Sequence, residues 1–241
     1  MEAELEYRAV LAVDIERSAG RGDRALMEMR GALSGLLRDA FLESGIDWEA
    51  CLRHDLGDGM RVTAPAGTRK SALIHPLVHE LALRLRAHNR DAAPRARMRV
   101  RVALHAGDVH LAPTGEVAGS PLEVLSRLLD APPARAALAG APEAVTVSLL
   151  LSRHFYEETV RNGHHGLYPE DFREVGFTVK EHTADAWLHL PGGALPREPA
   201  DEVPAAPDPP GGARMVNKAS GHGVIYATQH GTQNISITGK R

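Results

Sequence analysis

Two acidic residues stand where a carboxylate can do more than solvate a surface. Asp14 ends the apolar run of "AVLAVDIERSAGRGD", Ala9 to Asp23, and opens a loop of small residues; Asp58 lies between two glycines in "LRHDLGDGMRVT". An acid in the first place can hold a metal or can merely cap the next helix, and Asp-Gly in the second is also a common hairpin turn. Glu123 and Arg127, in "PLEVLSRLLDA", are four residues apart and share one face of a helix. His75 and His79 have the helical spacing used in metal sites, but no second motif supplies further ligands, which leaves them as solvent-facing histidines. Cys51 has no partnering motif and reads as a small buried residue rather than a nucleophile.

The elements that position these residues follow from apolar periodicity. "YRAVLAVDI" reads as a buried strand, followed by a helix with Leu26, Met29, Leu33, Leu36, Leu37 and Phe41 along one face and Gly45 to stop it. Gly57-Asp58-Gly59 turns a hairpin between two extended segments. A second helix aligns Leu73, Leu77, Val78, Leu81 and Leu85, tolerates Pro76 only near its start, and runs out near Asn89. In "RMRVRVALHAGDVH" apolar residues alternate with Arg97, Arg99 and Arg101, which predicts a strand with one buried face and one wet, arginine-lined face. "PLEVLSRLLDA" is a short helix ended by Pro132 and Pro133, and "AVTVSLLL" and "ADAWLHLP" are further strands. Strands interleaved with covering helices predict an α+β sandwich.

Composition bounds the rest. A chain of 241 residues with 43% hydrophobic content can bury one substantial domain, and its net charge of -3 gives no reason to expect nucleic acid as a partner. A single cysteine forms no internal disulfide, the N-terminus lacks the regions of a signal peptide, and no apolar run approaches membrane-spanning length. A cytoplasmic protein with no membrane partner is the expectation. Composition shifts at Leu190 to Arg214, where proline, glycine, alanine and acids form a flexible linker. Three parts follow: a domain over residues 1–191, a linker over 192–214 and a tail over 215–241.

The order of strand, Asp, loop and helix, then a Gly-Asp-Gly hairpin, resembles the catalytic domain of the class III nucleotide cyclases, the adenylate and guanylate cyclase family. "VALHAGDVH" is similar to that family's Gly-Ile-His-Thr-Gly strand and loop, and "GSPLEVLSRLLDA" to its Gly-Asp-x-Val-Asn-x-Ala-x-Arg-Leu helix. The likeness covers Tyr7 to Pro191. It implies a ferredoxin-like sandwich, a mixed or antiparallel sheet covered by helices, acting on a nucleoside triphosphate. It also implies two Mg²⁺ or Mn²⁺ ions held by Asp14, Asp58 and the Ile15 carbonyl, and Arg127 stabilising charge in the transition state. Cyclases of this family build their sites at a dimer interface, so a homodimer is implied, with Asp14 and Asp58 from one subunit and Arg127 from the other.

Several positions depart from the family pattern. Glu123 replaces an asparagine, an anion excused by pairing with Arg127 or with a cation; His54 stands where a lysine is common, and Glu116 where an aspartate often reads the base. Arg17 takes a glycine position in the loop, in which backbone amides near Ser18 could still hold phosphate. Lys180 has a vague likeness to the family's late phosphate-facing lysine. Glu123 above all favours the alternative, a catalytically silent cyclase-like adaptor that binds nucleotide or protein.

The tail "NKASGHGVIYATQHGTQNISITGKR" resembles bacterial amyloid signalling motifs, themselves similar to the interaction motifs of necroptosis proteins. Asn217, Gly223, Gln229, Gly231, Asn234, Ile235 and Ile237 recur in the motif's order. Two β-prone pieces around a His230-Gly231 turn can fold into an arch and stack on identical arches, with glutamine and asparagine ladders and dry isoleucine contacts. The resemblance implies a receptor or effector sharing the motif as a partner.

Overall fold

The computed structural model describes residues 4–164 and 166–195; the tail, and the expected linker from residue 196 on, lie outside the described residues. The elements run β1 (Glu4–Ile15), α1 (Asp23–Glu43), β2 (Leu52–Asp55), β3 (Gly59–Thr63), α2 (Leu77–Asp91), β4 (Val100–Leu111), β5 (Val117–Ala118), α3 (Ser120–Leu129), α4 (Pro132–Gly140), β6 (Val147–Ser152), α5 (Arg153–Thr159), β7 (Arg173–Val179) and β8 (His182–His189). The strands form one sheet in the order β2-β3-β1-β4-β6-β8-β7, with β5 pairing β4. Among the described residues only β4 and β6 pair in parallel. The β1-α1-β2-β3-α2-β4 half has the chain order of the ferredoxin-like unit, so the α+β sandwich with a mixed sheet is as expected.

Alternation along β1 sorts its side chains between two cores. Leu11, Val13 and Ile15 pack with Met29, Leu33, Leu37 and Phe41 of α1 and with Leu77, Leu81 and Leu85 of α2. Val10 and Ala12 pack on the other face with Ala103, with Leu125 and Leu128 of α3, and with Ala134 and Leu138 of α4. Burying each such leucine or phenylalanine contributes about 1.5–3 kcal/mol, and this fixes which face every β1 residue presents. Asp14, next after Val13, therefore falls on the face of Val10 and Ala12. Gly59 completes the placement, since a Cβ there would lie 2.0 Å from the Val13 carbonyl oxygen. Only glycine lets the hairpin seat this close to β1.

Arg101 of β4 departs from the expected wet face, while Arg97 and Arg99 precede the strand, Arg97 exposed and Arg99 half-buried. The strand is covered on both sides, Val100, Val102 and Leu104 in one core and Ala103 and Val109 in the other, and Arg101 is buried. Alternation of apolar and charged residues ordinarily marks a half-exposed strand; here the charge is neutralised inside, as described below. Pro132 and Pro133 do not merely end α3 but open α4, where a missing N–H at the first turn costs nothing. Leu73 lies in a 3₁₀ turn (Lys70–Leu73) ahead of Pro76, and α2 continues to Asp91. Helices α4 and α5 and strand β7 were not expected from periodicity, α4 being alanine-rich and α5 only seven residues long.

Midway along β4, His105 Nδ1 lies 2.7 Å from Ser152 Oγ, which also accepts the Phe155 N–H and so caps α5. Burial pushes the His105 imidazole down to about 4, with His154 adding in the same sense. The folded state thus binds its proton less readily than the unfolded chain. The neutral ring's contribution is present above about pH 6.5 and is lost as pH falls towards about 4. His105→Gln should flatten the acid limb of a urea-midpoint profile by on the order of 2–3 kcal/mol across that window. An unchanged acid limb would dissociate this histidine from acid lability.

Candidate functional site

The C-terminal end of β1 lies between β4 and β3, with Asp14 opposite Arg101 on one side and Gly59 on the other. Both side chains of the first pair point to the α3–α4 face, as Ala12 and Ala103 do two residues away. Arg101 Nε donates to Asp14 Oδ1 at 2.9 Å, and its Nη2 donates to Oδ2. Asp14 is 7% exposed and Arg101 9%. A two-point pair of this kind is the arrangement in which a buried carboxylate and guanidinium compensate one another's lost hydration.

Asp58 arrives from the β2–β3 hairpin. Its carbonyl accepts the Ile15 N–H at 3.0 Å and its carboxylate accepts the Ser18 hydroxyl at 2.7 Å, so the hairpin tip is tied to the loop after β1 at two points. Burial raises the Asp14 carboxyl above its ordinary range, and the charge of Asp58 adds to this, while Arg101 and more weakly Arg135 of α4 oppose it. Arg135 itself pairs with Asp130 at 3.0 Å. Arg17 adopts a φ of 52°, a backbone conformation natural to the glycine it replaces.

Asp14, Ile15, Ser18 and Asp58 are thus brought together. His54 lies in the same hairpin, opposite Arg61 in the β2–β3 register, and is exposed. Glu123 and Arg127 pair at 3.3 Å on the outer side of α3, with side chains 68% and 38% exposed. Glu116 precedes β5 at the Leu111 end of β4, about 30 Å along the strand from Arg101 at the usual rise per residue. Lys180 is at the exposed β7–β8 turn, beyond the Ser152 end of β6 and so also at the far end of the sheet. Within one chain these two do not meet Asp14.

Periodicity did not identify Arg101 as part of the site. The usable signal was register: an acid at the end of β1 and an arginine at the start of "RVALHAG" become neighbours once those strands pair antiparallel. Arg101 Nη1 is buried and has no hydrogen-bond partner among the described residues. Among the described residues no three His, Cys, Asp or Glu side chains are grouped as a metal cluster. The donors at the sheet end, two carboxylates and a backbone carbonyl, are nonetheless of the kind a hard divalent cation takes, and Arg101 is the positive charge that now pairs with Asp14. Such a cation would have to take at least one Asp14 oxygen from Arg101. Among the described residues no helix is long and apolar enough to cross a membrane.

No protein-family model and no curated protein matches the chain. Solved structures do. The guanylyl cyclase Cya2 shares 17% identity, with 83% of this chain and 98% of that chain covered and a TM-score of 0.56. An adenylate/guanylate cyclase/hydrolase from Silicibacter pomeroyi shares 19% identity over 78% and 99% of the two chains, also with a TM-score of 0.56. A bacterial light-regulated adenylyl cyclase shares 12% identity over 80% of this chain and 55% of that chain, with a TM-score of 0.58. The residues from β1 to β8 therefore have the fold of the adenylyl and guanylyl cyclase domains, with Asp14 and Asp58 at one end of its sheet.

Proposed function

We propose that residues 1–191 form a divergent nucleotide cyclase-type signalling domain that converts a nucleoside triphosphate to a cyclic nucleotide and pyrophosphate. The observation that carries this reading is the convergence of Asp14, Asp58 and the Ser18 loop beside buried Arg101 on a cyclase fold. In the reaction the ribose 3′-oxygen bonds to the α-phosphorus, the bond from that phosphorus to the bridging oxygen of pyrophosphate breaks, and the hydroxyl proton passes to solvent. Asp14, Asp58 and the Ile15 carbonyl would hold Mg²⁺ or Mn²⁺, which supplies charge neutralisation and acidifies the attacking hydroxyl. The chain's own part is preorganisation. The ties from Asp58 to Ile15 and Ser18 hold the acid-bearing hairpin, and the loop amides near Ser18 face phosphate oxygens.

Arg127 is assigned to a second subunit, and His54, Glu116 and Lys180 to substrate contacts. The place of Arg127 on an exposed helix face, and of Glu116 and Lys180 at the far end of the sheet from Asp14, supports a homodimer whose site is shared. The tail, through Asn217, Gly223, Gln229, Gly231, Asn234, Ile235 and Ile237, is proposed to stack on like tails or on a receptor's motif, and to raise domain concentration around a weak dimer. A second reading has its own support. Both Asp14 oxygens are held by Arg101, and Glu123 neutralises Arg127, as suits a silent adaptor that binds nucleotide or protein.

The test is incubation of purified protein with each ribonucleoside triphosphate and Mn²⁺, followed by mass spectrometry for a cyclic product. No product with any of them, while nucleotide still binds, would establish the adaptor. If product forms, mixing Asp14→Asn protein with Arg127→Ala protein should restore part of the activity that each lacks alone. A mixture that stays dead would rule out the shared site.

A further inference from the structure

A cleft of about 1390 Å³ opens between the loop after β1, the end of α2 with its connection into β4, and the segment leading into β6. Seven arginines line it against two glutamates, in a chain whose net charge is -3. Asp14, Ser18, Asp58 and Arg101 do not line it; it shares only the loop after β1 with the site described above.

The arginines divide by what they do. Arg21 donates to the carbonyls of Arg17 at 2.8 Å and Glu16 at 3.1 Å, Arg86 donates to Ala144 at 2.7 Å, Arg97 donates to Ala92 at 3.3 Å, and Arg99 pairs with Glu16 at 2.8 Å. These brace the walls. Arg17, Arg90 and Arg95 are exposed, and among the described residues no hydrogen bond or ion pair engages their guanidinium groups. Unpaired like charges facing one cleft repel each other, and an anion bound among them removes that repulsion. Guanidinium groups match phosphate oxygens with two parallel N–H donors. No aromatic side chain lines the cleft, which leaves a base nothing to stack on; the apolar lining is Leu83, Pro94 and Met98.

We propose that this cleft binds the phosphate chain of a small, multiply charged ligand, whether a free oligophosphate or the phosphate tail of a nucleotide, as a site separate from Asp14 and Asp58. It stands independently of the cyclase reading. Because Glu16, Arg17, Gly20, Arg21 and Gly22 line the cleft while Ser18 of the same loop bonds Asp58, a ligand here would press on the loop that follows Asp14 and carries Ser18.

The experiment is calorimetric titration of the full chain with inorganic tripolyphosphate in buffer containing a chelator. Wild type should bind, and more weakly as salt is raised. Arg90→Gln with Arg95→Gln, both exposed and unpaired, should weaken binding about tenfold or more through loss of two charge-assisted contacts, with melting unchanged. Asp58→Asn should bind as wild type does. Equal affinity in the double arginine variant, or loss of binding in Asp58→Asn, would overturn the proposal. Nucleoside triphosphates that displace bound tripolyphosphate about equally whatever their base support recognition of the phosphate chain; displacement by one base far more strongly than by the others contradicts it. Random-sequence RNA that outcompetes tripolyphosphate at equal phosphate concentration would make the cleft a nucleic-acid surface instead. Cyclic product formation is read separately, so failure here leaves the proposed activity untouched.

Discussion

Asp58→Asn should reduce cyclic nucleotide formation about a hundredfold or more while the melting temperature stays where it is. Among the described residues the carboxylate has one hydrogen-bond partner, the Ser18 hydroxyl, and an amide oxygen can still accept that bond. What the substitution removes is negative charge beside Asp14, and with it a ligand for the cation the proposed chemistry needs; loss of one such preorganised group typically costs about 10²-fold in rate. Asp14→Asn should be as inactive but also less stable, because it leaves Arg101 buried against a neutral partner. The contrast between the two is the informative part. A fully active Asp58→Asn enzyme would remove the hairpin acid from the mechanism.

Arg101→Leu should destabilise the domain by about 3–5 kcal/mol, the usual cost of deleting one member of a buried ion pair. Asp14 would keep its desolvation and its repulsion from Asp58 without the guanidinium that offsets them. Replacing both residues with leucine should recover most of that loss, since an apolar pair in the same space leaves no uncompensated charge. Denaturant unfolding of the two single variants and the double variant measures the coupling. Additive losses would mean that Asp14 and Arg101 do not depend on each other for stability.

The contrast between Arg101 and Asp58 shows what a sequence can convey. Asp58 sits in a Gly-Asp-Gly turn, a local pattern whose geometry is decided by the residues themselves, and the hairpin formed where expected. Leu33, Leu37 and Phe41 announce the buried face of α1 by spacing alone. Arg101 alternates with valines as a surface residue would, and only the pairing of β4 with β1 on one side and β6 on the other seals it inside. Helix α4 is not legible because alanine carries little apolar contrast, and β7 because its alternating pattern fully buries only Phe177, its other inward positions being half-buried and one of them an arginine. Local chemistry was legible; contacts made by strands distant in sequence were not.

The pairing of β1 with β4 also governs the order in which the domain can assemble. Its register joins residues separated by 85 positions at Ile15 and Val100 and by 107 at Glu4 and Leu111. Twelve residues of the central strand therefore wait for a partner from the middle of the chain, which places the domain among slow-folding topologies with large loop-closure costs. At ordinary translation rates of 5–20 residues per second the interval is roughly 5–20 s. During synthesis β3 becomes available first and can occupy one edge of β1 through Val10 to Asp14. The other edge stays open, with the charged residues Glu4, Glu6 and Arg8 at its start to discourage pairing with a neighbouring chain. Nascent chains truncated between β3 and β4 should consequently be the aggregation-prone species of this protein, and those extended past Leu111 should not.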